Sequence, residues 1–244
     1  LRSRGLGDVY KRQELKNAGF DIDKIKIPDR VYLLADDIFD EMVSRNVGEY
    51  RYPLGGKLYV FNKNENIGFI KGHMCSPAIA TQAEDLIAGG VKELIHVGYA
   101  GGLQPELVPG EIILTDGAFN DTAVARLYGY DYDIIHSSKD LTNEIEEMIT
   151  SAEIPYKRGI HWTTDAGYRE TWGQVMDYRD KGALCVEMEG VGLFTIANYR
   201  KCVATGIYVV SDVYLEDDWK LGWEGNDIKK AVGEIIDMII KSIR

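Results

Sequence analysis

The chain has 244 residues, of which 45% are hydrophobic, and its formal net charge is -11. This length and composition suffice for one α/β domain with a large core. The negative charge argues against a nucleic-acid-binding surface, because phosphate backbones are bound by clustered Lys and Arg.

Cysteine usage and the lack of long apolar runs indicate a cytoplasmic protein without a membrane partner. The three cysteines, Cys75, Cys185 and Cys202, are an odd number without CxxC spacing, which fits reduced thiols. No apolar run reaches the roughly 18 residues of a spanning helix, and no secretory signal is visible. Residues 1–13 resemble a translated cloning adaptor, so we predict a non-native or disordered leader there and one domain over 14–244.

The first half of the chain alternates strand-like and helix-like patterns, which predicts an α/β sheet. The predicted elements are a strand at 31–34, a helix at 36–44, hairpin strands at 57–61 and 67–70, a helix at 78–88 and a strand at 93–97. Gly89-Gly90 is typical of a helix C-terminus. The last of these strands leads into a glycine cluster at 98–102.

The second half continues the alternation, with predicted strands at 111–114, 184–186 and 202–210 and helices at 141–151 and 190–199. Asn226 is predicted to cap a final amphipathic helix whose apolar face includes Ile228, Val232, Ile235 and Ile239. Several aromatic side chains fall in loop-like regions, where some could stack on a planar ligand: Trp162, Tyr168, Trp172, Trp219 and Trp223.

Three predicted strands end in polar or glycine-rich motifs, at 98–102, at 187–189 and at Ser211-Asp212. Ligands of open α/β sheets bind beyond the carboxyl ends of the strands. The simplest interpretation is that the three motifs converge on one pocket. Carboxylates there suit a ligand rich in hydroxyls and ring nitrogens, because they accept hydrogen bonds when ionised and donate one when protonated.

Each motif also has a purely structural interpretation. The glycine cluster either approaches a ligand with its amides or forms a tight turn. Glu187 and Glu189 either bind sugar hydroxyls or complement the dipole of the following helix. Asp212 is either a general acid, a solvated acid or a helix cap, and His96, alone in an apolar strand, favours a core role. No Cys/His spacing indicates a metal site.

Four segments carry a resemblance to a known family. They are VKELIHVGYAGGLQPELVPG at 91–110, WTTDAGYRET at 162–171, VEMEGVGLFTIA at 186–197 and SDVYLEDDW at 211–219. In this order they resemble the nucleoside phosphorylase family, which comprises purine nucleoside phosphorylases, uridine phosphorylases and related nucleosidases. The similarity extends over roughly residues 27–242.

The resemblance implies a single-domain α/β phosphorylase/hydrolase-like fold, with a mixed, partly barrel-like central sheet flanked by helices. It implies a transferase in which phosphate attacks the ribose anomeric carbon of a nucleoside, giving free base and ribose 1-phosphate. No metal and no organic cofactor are expected; the partners are the small-molecule nucleoside and phosphate. Members of the family are dimers, or hexamers built from dimers, so we expect a homo-oligomer.

The family pattern also assigns residues to the sugar. Met188 is expected to pack under the ribose and Glu189 to accept its hydroxyls, with Glu187 beside them. Met74 matches a ribose-contacting methionine.

The base is assigned to another group of residues. Asp212 matches the acid that protonates a purine ring nitrogen, and Tyr168 is a candidate for stacking, with Gly101 and Ser211 nearby. Uridine-acting members usually recognise uracil through a Gln and an Arg. Gln174 and Arg169 lie in the corresponding region, so uridine stays open. Purine is favoured because Asp212 can protonate a ring nitrogen. Protonation of the leaving nucleobase by Asp212 would be general acid catalysis.

The phosphate-binding pattern is where this chain departs from the family. The phosphorylases hold phosphate with two arginines of one subunit, but the corresponding positions here are the stretch 35–39, without arginine, and His96. A Ser or Thr of the family is replaced by Tyr99. A histidine lacks the fixed donor fork of arginine. We therefore predict a phosphate site built from His96, Gly98, Tyr99 and Arg45, the last lent across the subunit interface, with Arg51 a further candidate.

Three functions follow from this departure. The first is a phosphorylase with a remodelled phosphate site. The second is a hydrolytic nucleosidase of the same fold, in which water replaces phosphate. The third is a nucleoside-binding protein without catalysis. Glu189 and Asp212 together favour catalysis, and the family pattern places phosphorolysis narrowly first.

Overall fold

The computed structural model describes residues 26–215, 219–222 and 225–243, together with positions 13, 16, 17 and 19. The predicted leader at 1–13 lies outside this part of the chain except for its last residue, as does Trp223. Among the helices that are described, none is long and apolar enough to cross a bilayer.

The first half of the described chain contains the predicted elements and one further strand. In chain order they are β1 (Arg30–Leu34), α1 (Asp36–Ser44), β2 (Gly48–Tyr52), β3 (Leu58–Phe61), β4 (Asn64–Lys71), α2 (Ser76–Gly89) and β5 (Glu93–Gly102). The predicted hairpin is confirmed, since β3 and β4 pair antiparallel. The predicted stop of α2 is confirmed too, because Gly90 follows the helix with φ 120°, a conformation that L side chains rarely adopt.

The second half holds the remaining elements. They are β6 (Ile112–Asp121), α3 (Ala123–Leu127), β7 (Ile134–His136), α4 (Lys139–Ser151), β8 (Lys157–Thr164), α5 (Trp172–Asp180), β9 (Cys185–Glu187), α6 (Gly190–Arg200), β10 (Val203–Tyr214), β11 (Trp219–Leu221) and α7 (Asn226–Ser242). The predicted apolar face of α7 is buried as expected. A short 3₁₀ turn, Gly167–Arg169, precedes α5.

Several local predictions were wrong. The glycine cluster is neither a loop nor a tight turn, because β5 continues through it and pairs with neighbours on both sides. Trp162 lies in β8 and is fully buried, and Trp172 is the first residue of α5. The position before α7 is Gly225; Asn226 is already helical and does not cap through its side chain.

The central sheet is mixed and closes on itself. Strand β5 is hydrogen-bonded to β1, β9 and β10, and the ring β5-β9-β8-β6-β10 returns to β5. Most pairs in the ring are parallel, whereas β5–β9 and β6–β10 are antiparallel. Strands β1, β4, β3 and β2 extend from β5 as an open wing. The expectation of a mixed, partly barrel-like sheet flanked by helices is confirmed.

Apolar faces of the helices cover this sheet on two sides. One core cluster combines α2 and α6 with β1 and β4, and includes Ile79, Leu86 and Phe194. A second combines α1, α4 and α7 with β1, β5 and β10. Burial of such apolar surface is the main stabilising contribution to the fold.

A bulge in β10 sets the direction of one predicted site residue. Val210 pairs with Ala100 and Asp212 with Gly101, so Ser211 is an extra residue without a counterpart in β5. Gly101 in turn pairs with Val186 of β9. Asp212, Gly101 and Val186 therefore form one row across β10, β5 and β9. The backbones of Asp212 and Val186 are separated by two strand spacings, roughly 10 Å.

Candidate active site

A cavity of about 530 Å³ opens where β1, β4 and β9 end beside β5. It is lined by Ala35, Asp36, Asp37, Gly72, His73, Met74, His96, Gly98, Tyr99, Glu187, Met188 and Glu189. Seven of these were predicted from the sequence as sugar or phosphate ligands. A larger cavity of about 740 Å³, between residues 108–112 and α7, contains none of the predicted site residues.

The carboxylate of Glu187 is held by protein donors on both oxygens. Its Oε1 is 2.9 Å from His161 Nε2 and accepts a hydrogen bond of 2.5 Å from the Thr163 hydroxyl. Its Oε2 accepts hydrogen bonds of 2.8 Å from the backbone amides of Glu189 and Gly190. An ionised carboxylate has about four acceptor positions, and here all four are used inside the protein.

His161 lies beneath this carboxylate and is fully buried. Its Nδ1 is 2.6 Å from the hydroxyl of Thr115, and its Nε2 faces Glu187. Burial works to raise the pKa of Glu187, but the interactions with His161 and Thr163 hold it at about 2. Glu187 is therefore an anion across the physiological range.

Glu189 has a different environment from its neighbour two residues away. Its carboxylate accepts hydrogen bonds from the backbone amides of Cys75, at 2.6 Å, and of Met188, at 3.3 Å. Burial, and next the charge of Glu187, raise the pKa of Glu189 to about 8. The Ser76 hydroxyl donates to the Met188 carbonyl at 2.9 Å, so α2 positions both Met188 and Glu189.

Cys75 adopts a conformation that is rare for a residue with a side chain. Its φ is 73° and its ψ 148°, a region of the backbone map occupied almost only by glycine. The same conformation directs its amide at Glu189. Strain of this kind costs on the order of 1–3 kcal/mol and concentrates at binding sites.

Asp212 and its neighbours form a second acidic group at the far end of the row. Asp212 is buried and accepts a hydrogen bond of 2.7 Å from the Ser211 hydroxyl. A Cβ placed on Gly101 would lie 3.1 Å from its Oδ2 and 2.9 Å from the ring of Tyr214. Glycine at this position therefore lets the Asp212 carboxylate lie against β5.

Glu170 joins this group from the turn after β8. Its Oε2 accepts a hydrogen bond of 2.7 Å from the Tyr214 hydroxyl. Burial raises the pKa of Glu170; the Tyr214 hydrogen bond works against this shift, while the charge of Asp212 adds to it. A Cβ on Gly167 would be 3.5 Å from Glu170 Oε1 and 3.6 Å from Met188 Sδ. The second acidic group therefore borders the predicted sugar platform.

The predicted phosphate region is acidic. The Tyr99 hydroxyl donates to Asp37 at 2.5 Å, and Asp36 forms an ion pair of 2.6 Å with Lys71. Four carboxylates line the cavity, and none of its described lining residues is Arg or Lys. The histidines are the only basic side chains in that lining.

His96 contributes no positive charge to the cavity near neutral pH. It is buried against Tyr208, and its Nδ1 has no hydrogen-bond partner among the described residues. Burial lowers the pKa of His96 to about 4. A neutral imidazole offers one donor and one acceptor, so it does not replace an arginine as a phosphate ligand.

This shift predicts a pH-dependent loss of stability. With the pKa of His96 lowered from 6.5 to about 4, the folded chain binds fewer protons than the unfolded chain between those values. Stability should therefore fall as the pH drops through this window, by up to about 3 kcal/mol. Urea unfolding at pH values of about 7 and 4.5 measures it. His96→Gln should flatten the dependence and His136→Gln, at an exposed position, should not; equal slopes in all three proteins would contradict the assignment.

The two predicted arginines lie outside the cavity lining. Arg45 binds Glu41 at 2.8 Å and Asp237 at 3.0 Å within its own chain. Arg51 binds Glu49 and Glu65. Both side chains are therefore already paired with carboxylates.

None of the residues proposed for the base lines the cavity, so the predicted convergence of three strand-end motifs on one pocket holds for Gly98-Tyr99 and 187–189 but not for Ser211-Asp212. Gly101 pairs with Asp212 on one side and with Val186 on the other, and Ser211 precedes Asp212 in β10, whereas Tyr168 is fully exposed on the 3₁₀ turn. Gln174 forms a capping box with Thr171 at the start of α5, and its amide oxygen accepts from the Thr171 amide and hydroxyl. Its role is therefore accounted for by the helix.

Three groups approach one another closely enough to be compared with a metal site. Potential ligand atoms of His96, Glu187 and Glu189 lie within 4.8 Å of one another. The acceptor positions of Glu187 are occupied, so only two side chains keep a free ligand atom there. Catalytic zinc sites usually supply three protein ligands, and our expectation of a reaction without metal stays a prediction.

Sequence reasoning missed His161, Thr163, Asp37 and Glu170 as participants in the site. His161 and Thr163 stand in the matched segment or next to it, and their alternation in β8 places both on one face of the strand. This period-2 pattern was the one feature of the sequence that could have indicated a shared polar face. Nothing in the sequence indicated that this face points to Glu187, which is 26 residues beyond His161 and 24 beyond Thr163.

Comparison with known proteins gives consistent results. The family model for the phosphorylase superfamily matches residues 27–241. A purine nucleoside phosphorylase DeoD-type from Exiguobacterium sibiricum is 29% identical over 188 residues, which cover 76% of this chain and 78% of that protein. A protein of the same name from Caldanaerobacter subterraneus subsp. tengcongensis is also 29% identical over 188 residues, covering 76% and 79%.

A solved structure shows the same fold. It is the purine nucleoside phosphorylase from Toxoplasma gondii in complex with immucillin-H, with a TM-score of 0.78 and 18% identity. The match covers 92% of each chain. At this identity the likeness concerns the fold alone.

Proposed function

The chain belongs to the phosphorylase superfamily, and from that premise we propose that it is a nucleoside phosphorylase acting on purine nucleosides. Phosphate attacks the anomeric carbon, the N-glycosidic bond breaks, and free base and ribose 1-phosphate are formed. No metal and no organic cofactor takes part. The observation that carries this proposal is the row from Asp212 through Gly101 to the 187–189 motif, which ends at a cavity also lined by Met74.

The sugar is bound at the β9 end of this row. Met74 and Met188 present apolar surface to the ribose, and Glu189 accepts hydrogen bonds from its hydroxyls. Positive charge develops on the sugar as the glycosidic bond lengthens. The carboxylates of Glu187 and Glu189 stabilise that charge, because they lie in a partly enclosed site of low dielectric.

The base leaves at the Asp212 end. Protonation of a ring nitrogen by Asp212 neutralises the negative charge that the leaving base acquires. Ser211 orients the carboxyl group, and Gly101 allows the base to approach β5. A purine is favoured because it offers a basic ring nitrogen, and because the amide of Gln174, the candidate uracil ligand, is engaged at the start of α5.

Phosphate binds through the other side of the cavity. The ligands in one chain are the Tyr99 hydroxyl, the amide of Gly98 and the neutral imidazole of His96. The missing positive charge comes from Arg45 of a second copy of the chain, which requires a homo-oligomer and exchange of its present carboxylate partners. The reaction takes place in the cytoplasm, in keeping with unpaired cysteines.

One observation favours hydrolysis as a second candidate function. The cavity is lined by Asp36, Asp37, Glu187 and Glu189 without an arginine or lysine among the described lining residues. Such a surface repels phosphate but accommodates water. In that reaction Asp37 takes the proton of the attacking water, Asp212 protonates the base, and ribose is released instead of ribose 1-phosphate.

A nucleoside panel assayed with and without phosphate in ¹⁸O-labelled water separates these functions. Phosphorolysis predicts phosphate-dependent release of base, with unlabelled ribose 1-phosphate as the second product. Equal release without phosphate, with label in free ribose, would contradict it and support hydrolysis. If no base is released in either condition but nucleosides raise the melting temperature, the chain is a binding protein.

A further inference from the structure

The two glutamates of the 187–189 motif have opposite relations to the cavity. All acceptor positions of Glu187 are occupied by His161, Thr163 and the backbone amides of Glu189 and Gly190. No lone pair is left for a sugar hydroxyl. Among the described residues, two backbone amides donate to Glu189 and its carboxyl group also interacts with that of Glu187, so it keeps an acceptor position that faces the cavity.

The two carboxyl groups are also close together. Oxygen atoms of Glu187 and Glu189 lie within 4.8 Å of each other. Two anions this close in a buried site repel each other, and one of them then holds a proton. Since Glu187 accepts from the Thr163 hydroxyl and two backbone amides and has His161 beside it, the proton belongs to Glu189.

We propose that Glu187 is a positioning residue and not a sugar ligand. Fixed as a carboxylate by His161 and Thr163, it holds the Glu189 backbone in place and keeps a proton on the Glu189 carboxyl until a nucleoside binds. This inference rests on the proposed function only in naming ribose as the ligand of Glu189. It revises the sequence-based assignment of Glu187 to the sugar.

Binding of the sugar then displaces that proton. Ribose hydroxyls donate to a carboxylate, and their hydrogen bonds favour the ionised form of Glu189 over the neutral one. Nucleoside binding near pH 7 should therefore release up to about one proton per site. Glu189 therefore becomes negatively charged only when the sugar binds.

Other titratable groups also face Glu189, and each is part of its electrostatic environment. The charge of Glu189 acts on Cys75 at the start of α2 and on Tyr208 of β10, and Asp165 after β8 acts on the same cysteine. Further groups line the same cavity, namely Asp36 and Asp37 after β1, His73 after β4, and His96 and Tyr99 of β5, while His161 of β8 contacts Glu187. After burial, the charge of Glu187 makes the largest contribution to raising the pKa of Glu189.

The proton on Glu189 is measured in the ligand-free protein by NMR. In protein labelled with ¹³C at glutamate carboxyl groups, the resonance that disappears in Glu189→Gln identifies the residue. Its titration midpoint is expected near 8, in line with the raised pKa of Glu189. A midpoint in the ordinary range of a glutamate, about 4, would overturn the proposal even if nucleosides are cleaved.

The role of Glu187 is measured with Glu187→Gln, and the exposed Glu147→Gln serves as control. The first should lower the Glu189 midpoint by at least about one pH unit, because a neighbouring anion is removed; the control should not. An unchanged midpoint in folded Glu187→Gln would overturn the coupling. If that variant does not fold, the proton release of the wild type decides.

Proton release is measured by calorimetry in phosphate-free buffers of different ionisation enthalpy, at pH 7. The probe is a C-nucleoside, whose carbon–carbon glycosidic bond is not cleaved. The wild type is expected to release close to one proton and Glu189→Gln none. Binding without release in the wild type would overturn the proposal. Failure of N-nucleoside cleavage would count against the proposed reaction and leave the NMR titration unaffected.

Discussion

Asp212→Asn is expected to lower the turnover of a purine nucleoside by about 10²–10⁴-fold, the contribution typical of a positioned general acid. The asparagine keeps the shape of the buried side chain and its contact with Ser211, but it has no proton to transfer to the leaving base. Binding should change less than turnover, because proton transfer stabilises the transition state and not the bound nucleoside. Steady-state kinetics on inosine and adenosine measure the effect.

The matched control is Asp131→Asn, at an exposed position, which should leave turnover unchanged. A substrate whose base leaves readily without protonation, such as a nitrophenyl riboside, should be cleaved almost equally by Asp212→Asn and wild type. If both kinds of substrate lose activity alike, Asp212 supports the structure of the site and is not its acid.

Gly190→Ala is expected to destabilise the protein by about 3 kcal/mol, because overpacking of a core costs about 1–3 kcal/mol and the displaced Glu187 carboxylate loses a buried hydrogen bond, at about 1.5–3 kcal/mol. A Cβ at this position would lie 2.6 Å from His161 Nε2 and 3.1 Å from Glu187 Oε1, between the two partners. Neither side chain can move away easily, because both are buried. A loss of this size corresponds to roughly 10 °C in melting temperature for a chain of this length.

The control for this substitution is another helical glycine. Gly233 lies in α7 and a Cβ there would meet nothing within 4 Å. Gly233→Ala should therefore stabilise the protein slightly, by about 0.5–1 kcal/mol, because alanine has the higher helix propensity. Thermal and urea unfolding of both variants measure the difference. Similar melting temperatures for Gly190→Ala and wild type would show that His161 and Glu187 do not require this close approach.

Much of the fold was predictable because apolar periodicity is a local signal. The strands at 31–34, 93–97 and 202–210 and the apolar face of α7 stand out in the sequence and are all present. The end at Leu34 was predicted correctly, but the other two strands were ended too early, since β5 runs on to Gly102 and β10 to Tyr214. These extensions exist because β5 and β10 pair with each other, and β5 with β9, beyond the apolar runs. The closed sheet supplies these hydrogen bonds, and the local strand propensity of glycines such as Gly101 does not predict them.

Strand β8 shows why part of the site escaped sequence reasoning. Its sequence, KRGIHWTT, lacks a clean apolar alternation because His161 and Thr163 occupy one face. That face is polar inside the barrel, where it binds Glu187. The acids themselves were identified from their position at strand ends. Which of them carries a proton depends on partners distant in sequence, and no local pattern reports such contacts.

The extra residue in β10 has a bearing on how base preference can evolve. Because Ser211 is unmatched, the register places the side chain of Asp212, and not that of its predecessor, against Gly101. Removing one residue from this strand, or moving the irregularity by one position, would turn a different side chain toward the leaving group while every other strand stayed in place. On the proposed function, a single insertion or deletion in β10 would therefore be enough to change which side chain meets the leaving base, without any substitution of Asp212 itself.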